Sequence, residues 1–269
     1  MSDIAPIITD RSVTKQGPER ADSVLVAGSH GGVYAGYLAA QAGLRAVILN
    51  DAGVGLDQAG IGGLTYLDTI GMPAAAIGCM TARIGDGEDM LSRGIVSHAN
   101  ALARARGVMP GQSCAEAADR LRKGRSRLSG ALPRVEGRYP LRSTEATLPV
   151  WGLDSASLIT PQDTDRILII GSHGGLLGGD PASALRGSAR AVVFNDAGVG
   201  IEGAGLTRLP ALDTRGIPAA TVDCWSARIG DAASSWATGI LSHVNDTARH
   251  LGASPGMSTV DFADIASGK

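Results

Sequence analysis

Val24-Leu25-Val26-Ala27-Gly28-Ser29-His30-Gly31-Gly32 is an apolar run of strand length that ends in a Ser-His pair and glycines, and it returns as Ile167-Leu168-Ile169-Ile170-Gly171-Ser172-His173-Gly174-Gly175. A segment bearing Ala and Leu comes next, as a helix would. The stretch therefore predicts a strand, a bare-backbone turn and a helix N-terminus, an arrangement that offers unpaired N–H groups to an anion. One such loop is weak evidence, but other matches come after it in the same order and make it the opening of a repeat unit. His30 lies 143 residues before His173. After a two-residue length change, Asp51, Cys79, Arg83, Asp86, His98, Asn100 and Pro110 recur 145 residues later as Asp196, Cys224, Arg228, Asp231, His243, Asn245 and Pro255.

Within the first copy the pattern reads strand 23–28, helix 33–42, strand 45–50, a helical piece 57–70 and strand 73–79. A long helix 88–106, a turn at Pro110-Gly111 and a short helix 114–123 complete it. Strands that alternate with helices point to a parallel sheet wound with right-handed crossovers. The expected fold is α/β, with two tandem-repeat lobes, each a small parallel sheet flanked by helices, related by pseudo-two-fold symmetry. The lobes are expected at 1–124 and 154–269, with Asp10-Arg11-Ser12 set against Asp154-Ser155-Ala156. A connector rich in Pro and Arg, 125–153, lies between them and holds Pro133, Pro140 and Pro149. From Arg120 to Arg142 there are eight Lys or Arg against one acid, Glu136. Such a run is ordinarily a solvated face; an acidic substrate or a neighbouring subunit is the alternative.

Composition narrows the class. Hydrophobic residues make up 44% of the 269-residue chain but aromatics only 3%, and Gly reaches 38. The core must then be built from Ala, Val, Ile and Leu with closely packed backbones, which suits an α/β protein. A net charge of −2 and a pI of about 6.2 give no pull towards nucleic acid or anionic membrane. Met1 to Pro18 lacks a signal-like apolar region, and no segment approaches the roughly 18 apolar residues of a membrane span. The expectation is a cytoplasmic protein that takes a small-molecule substrate, with no nucleic acid or membrane partner and with homo-oligomer formation left open. The three cysteines, Cys79, Cys114 and Cys224, include no C-x-x-C pair and suggest neither a disulfide framework nor structural zinc.

In a parallel α/β sheet, ligands bind beyond the carboxyl ends of the strands, where the matched polar clusters are predicted to sit. His30 and His173 are the acid/base candidates, because imidazole titrates near neutral pH and each lies in a glycine turn; the alternative is a histidine that bonds only its own turn. Asp51 and Asp196 are candidates to orient the imidazole, or simply helix caps. Cys79 and Cys224 end the third strand of each copy, as nucleophile or proton carrier, or as small apolar core residues. Ser29, Gly31, Gly32 and Asn50, with Ser172, Gly174, Gly175 and Asn195, are candidate substrate-binding positions. Arg83 and Arg228 could clamp a carboxylate or pair internally with Asp86 and Asp231. His98 and His243 fall on the apolar stripe of the expected long helix and read as core residues. No HExxH or close His pair calls for a metal, and the glycine loop matches neither the P-loop nor the dinucleotide fingerprint, so neither metal nor cofactor is expected.

The copies differ after the shared loop. The first continues Val33-Tyr34-Ala35-Gly36-Tyr37-Leu38, the second Leu176-Leu177-Gly178-Gly179-Asp180-Pro181. Gly and Pro disfavour a helix there, so it should start late, near Pro181, and an anion should prefer the Ser29 to Gly32 turn.

Ser29-His30-Gly31-Gly32, Cys79-Met80-Thr81 and Cys224-Trp225-Ser226 resemble features of the aspartate/glutamate racemases, which have a Ser-x-Gly-Gly turn after the first strand and a Cys-x-Thr-like motif in each of two α/β lobes. The likeness covers a handful of residues and implies a two-cysteine racemase or isomerase. That family does not show the repeated Ser-His-Gly-Gly, Asn50-Asp51-Ala52-Gly53-Val54-Gly55 or Ala82-Arg83-Ile84-Gly85-Asp86, so no residue is assigned from it. The leading expectation is a cofactor-independent enzyme, a hydrolase of a small polar metabolite bearing a carboxylate or amide. It would use His with Asp, and Cys as a further candidate, at strand ends near the lobe interface. The racemase type is second, and a duplicated ligand-binding protein without catalysis is third.

Overall fold

Strands that are apolar at every position, instead of alternating, belong to sheets covered on both faces. The computed structural model, which describes residues 4–14, 16–124, 130, 133–142 and 148–268, builds such sheets. The chain divides into two compact units, the first taking residues 1–54, 58–135 and 200–202 and the second 55–57, 136–199 and 203–269. The first unit runs β1 (Ile7–Asp10), β2 (Val24–His30), α1 (Val33–Gln41), β3 (Ala46–Asn50), α2 (Gly62–Thr69), β4 (Ala74–Ile77), α3 (Gly87–Arg93), β5 (Val96–Ala99), α4 (Ala101–Ala105) and α5 (Cys114–Leu121). Its strands lie in sequence order, β1 to β4 parallel and β5 antiparallel to β4. Leu25, Val47, Leu49 and Ala76 face a core shared with α1 and α2. Their neighbours Val24, Val26, Ile48 and Ile77 face the opposite core, where Met90, Cys114 and Leu121 pack.

The second unit runs β6 (Arg138–Arg142), β7 (Val150–Leu153), β8 (Ile167–His173), β9 (Ala191–Asn195), α6 (Arg208–Asp213), β10 (Ala219–Val222), α7 (Ala232–Thr238), β11 (Leu241–Val244), α8 (Asp246–His250) and α9 (Thr259–Ala266). Its six strands are ordered β11-β10-β9-β8-β7-β6, with β7 to β10 parallel and both edges antiparallel. The fold is thus α/β, with two mainly parallel sheets flanked by helices. Among the described residues no helix is long and apolar enough to cross a membrane.

Several expectations need correction. The long helix 88–106 is instead α3, the edge strand β5 and α4, because Gly94 at the C-terminus of α3 takes an extended conformation. His98 and His243 consequently lie on strands, not on an apolar helix stripe. The strands β1 and β7 are too short and mixed to carry a periodic signal. Their register sets Ser12 opposite Ser155, at an offset of 143, one residue away from the alignment expected from sequence. Of the expected connector, 136–142 and 148–153 lie in the second unit around β6 and β7. In the basic run, Arg138 pairs with buried Asp163 at 2.8 Å, Arg142 with Asp264 at 2.6 Å, and Arg134 stacks over Tyr66; Arg125 and Arg127 lie outside the described residues.

After β8 the predicted late start is found, though as a single 3-10 turn, Pro181–Ser183, with the Asp180 side chain accepting from the Ala182 N–H at 3.0 Å. What replaces the missing helix is Arg208. It stands where the first unit has Gly63, and it is buried with its guanidinium donating to the carbonyls of Gly175 (2.9 Å), Ser183 (2.8 Å) and Ala184 (2.5 Å) while lying over the Phe194 ring.

Candidate functional site

The strand ends of the first unit are built by glycines that let backbones meet. Between Val26 and His30 the strand β2 bulges, since four residues there span the two from Ile48 to Asn50. Gly28 sits in the bulge, where a Cβ would lie 2.3 Å from the Asp86 nitrogen, and its carbonyl accepts from the Gly85 N–H at 2.7 Å. Much of the Ala-Arg-Ile-Gly-Asp block is explained by this close approach, with Asp86 also capping α3. Ser29 Oγ accepts from the Val13 N–H at 3.0 Å. The Gly31 N–H donates to the Asn50 carbonyl at 2.7 Å, and the Gly32 N–H to His30 Nδ1 at 3.2 Å. Two N–H groups expected to face an anion are therefore engaged within the fold.

The bond from Gly32 decides the state of His30. With Nδ1 accepting, the ring proton belongs on Nε2. Burial pushes the imidazole down from 6.5 to about 4. His30 is thus a neutral donor at physiological pH, and its Nε2 has no hydrogen-bond partner among the described residues. In the second unit Ser172 Oγ accepts from the Ala156 N–H at 2.9 Å, the Gly174 N–H donates to the Asn195 carbonyl at 2.8 Å, and the Gly175 N–H donates to the Nδ1 of buried His173 at 3.2 Å.

The Asn-Asp pairs hold backbone. Asn50 Oδ1 accepts from Ala52 N–H at 2.9 Å, and Asp51 Oδ1 accepts from the N–H groups of Gly53 (3.1 Å) and Cys79 (2.9 Å). Asn195 and Asp196 repeat this with Ala197 (2.9 Å), Gly198 (2.9 Å) and Cys224 (3.0 Å). Among the described residues no bond joins Asp51 to His30, so the first unit does not form a His-Asp pair. The side chains instead hold runs of positive φ, from Ala52 (49°) through Val54 (64°) to Gly55 (67°), and from Ala197 (52°) through Val199 (63°) to Gly200 (72°). Left-handed backbone costs a non-glycine residue about 1–2 kcal/mol, and each loop carries two such residues.

Arg83 and Arg228 are engaged. In the first unit Arg83 meets Glu202 at 2.6 Å and Asp89 at 3.4 Å, and Arg93 also reaches Glu202 at 2.8 Å. In the second, Arg228 meets Asp231 at 2.8 Å and Asp57 at 3.0 Å. Cys79 and Cys224 are buried at the ends of β4 and β10. Asn100 and Asn245, also buried, each bond two N–H groups and two carbonyls, an anchoring role that accounts for the recurrence of Ser-His-x-Asn.

Two residues escape a sequence reading. Because β6 runs antiparallel to β7 with Arg138 opposite Leu153, Glu136 falls at the carboxyl end of β7, beside Asp154 to Ser157. Burial first, and the neighbouring Asp154 charge, push its carboxyl from 4.5 up to about 7, against hydrogen bonds from Ser155 and Ser157. The 155–157 segment in turn bonds Ser172, so Glu136 is linked to the Ser172-His173 turn. The one sign of it in the sequence is that it is the single acid in a basic run. The second residue is Asp223, which is Gly78 in the first copy and so disappears when copies are matched. Comparison with known proteins gave no match: no family model, curated protein or solved structure is similar to the chain.

Proposed function

We propose that the chain is an enzyme that acts, without an organic cofactor, on a small polar metabolite bearing a carboxylate or amide, and that the reaction is a hydrolysis at the strand ends of the second unit. The observation that carries this reading is Glu136. A module that only binds has no need of a carboxyl group held near neutrality, whereas a general acid or base works best when its pKa lies near the working pH. In the proposed reaction Glu136 takes the proton of an attacking water. The carbonyl oxygen on which charge develops lies at the Ser172-His173 turn, where His173 Nδ1 accepts from the Gly175 N–H. The Ser29-His30 turn is the matching turn of the first unit. A dissolved cytoplasmic substrate, without nucleic acid or membrane, fits this chemistry.

The test is a panel of small amides, esters and cyclic amides of carboxylic acids, assayed with wild type, Glu136→Gln and His173→Gln, each first matched to wild type by circular dichroism. Hydrolysis by wild type should fall at least about 100-fold in either variant, the usual size of a lost general acid or base. The wild-type pH profile should rise with a midpoint near 7, and that limb should vanish in Glu136→Gln. Undiminished turnover in Glu136→Gln refutes the reading.

A further inference from the structure

At the carboxyl ends of the adjacent strands β9 and β10, the second unit brings together Asp196, Asp223 and Cys224, whose carboxylate oxygens and thiol sulfur all lie within 4.8 Å of one another. We propose that these three side chains bind one divalent transition-metal ion of the zinc class. The site stands independently of the hydrolytic reading, because binding is read directly.

The donors are fixed by backbone. The Asp196 N–H donates to the Val222 carbonyl at 2.9 Å, and the Asp223 N–H to the Ile240 carbonyl at 2.9 Å, which ties the residues after β9 and β10 to neighbouring chain. Asp196 Oδ1 takes the Cys224 N–H, and Ser242 bonds the same carboxylate. Asp223 Oδ1 accepts from the Trp225 N–H at 2.8 Å, while Oδ2 has no hydrogen-bond partner among the described residues. At a tetrahedral ion one Zn–S and one Zn–O bond hold their donors about 3.5 Å apart, so donors within 4.8 Å share an ion after closing by about 1 Å.

Electrostatics call for a cation. Asp196 is 3% and Cys224 2% exposed, and a second carboxylate, Asp223, stands beside them. Among the described residues neither aspartate has a Lys, Arg or His ion-pair partner. Two carboxylates set side by side without a positive charge repel each other. A divalent ion offsets that repulsion, and a thiolate among the donors favours zinc-class ions over magnesium or calcium. Three protein donors leave a fourth position for water. The first unit is an internal control, since Gly78 stands at the position of Asp223.

The experiment uses the full chain, stripped with a chelator and titrated with Co²⁺. The readouts are the near-ultraviolet thiolate-to-cobalt charge-transfer band, the stoichiometry by elemental analysis and displacement by Zn²⁺. Wild type should bind one ion per chain with the band present. Cys224→Ser should abolish the band, and Asp223→Gly, which installs the first unit's residue at a partly exposed position, should weaken binding at least tenfold. Cys79→Ser should leave band and stoichiometry unchanged. No band in stripped wild type overturns the proposal, as does an unchanged band in Cys224→Ser or its loss in Cys79→Ser. Should Cys224→Ser fail to fold by circular dichroism, Asp223→Gly decides alone, and wild-type affinity in it overturns the site.

Discussion

Replacing Glu136 by Gln should make the protein more stable, and only above a certain pH. The carboxyl is held near 7 in the fold against an ordinary value of 4.5. Below 4.5 it is protonated in both folded and unfolded chains and costs nothing. As pH rises through 4.5 the unfolded chain releases its proton while the fold retains one, so stability falls with rising pH until about 7 and is level beyond it. The rise from 4.5 to about 7 corresponds to about 3 kcal/mol. Glu136 is not fully buried, and solvent screening reduces this to roughly 2 kcal/mol. At about 2–4 °C per kcal/mol, Tm should rise by roughly 4–8 °C in the variant at pH 8. The assay is thermal unfolding of both proteins from pH 4 to pH 9. The Tm difference should be near zero at pH 4, grow between about 5 and 7, and then hold. A difference independent of pH, or one that shrinks as pH rises, would falsify the assignment. A residue that lowers stability at the pH where a protein works is what a catalytic group looks like thermodynamically.

His30 has the opposite signature. Its imidazole, lowered from 6.5 to about 4, favours the fold above 6.5 and loses that contribution as pH falls towards 4. Relative to wild type, His30→Gln should therefore lose less stability on acidification across that window; equal losses in both proteins would mean that the ring is not held neutral. Arg208→Met should destabilise by about 3 kcal/mol, since three carbonyls, two of them buried, lose their donor, and limited proteolysis should then cut within 176–187. Resistance of that segment in the variant would show that Arg208 does not hold it.

The parallel sheet and the positions of the polar clusters were legible because β2, β3, β8 and β9 are apolar throughout and end in repeated motifs. Matching copies also located buried Asn100 and Asn245. It could not say why residues recur. Much of the recurrence maintains backbone: Gly28 admits Gly85 and Asp86, Asp51 takes the Cys79 N–H, and Asn100 pins four backbone groups. The same periodic reasoning merged α3, β5 and α4 into one helix, since Leu91, Ile95, His98 and Leu102 fit helical spacing whether or not Gly94 is extended. Asp223 remained hidden because a search for repeats finds what both copies keep, and Gly78 stands in its place in the first.

Divergence between the copies then carries information that identity does not. The first unit retains α1 and the glycine contact of Gly63 with the Gly31 and Gly32 carbonyls. In the second that helix is gone, and buried Arg208 takes over its anchoring without an acidic partner among the described residues. In the same unit β6 brings Glu136 to one side of the Ser172-His173 turn. The unit also adds Asp223 beside Asp196 and Cys224. Burying a guanidinium works against stability, as does setting a second carboxylate beside buried Asp196. Two such features, Arg208 and Asp223, stand where the first unit has Gly63 and Gly78, and packing alone does not account for them. The sequence contrast after the glycine loop favoured the first turn as the anion site, but the N–H groups of Gly31 and Gly32 and those of Gly174 and Gly175 are engaged alike within the fold; the proposed reaction at Ser172 and His173 rests on Glu136.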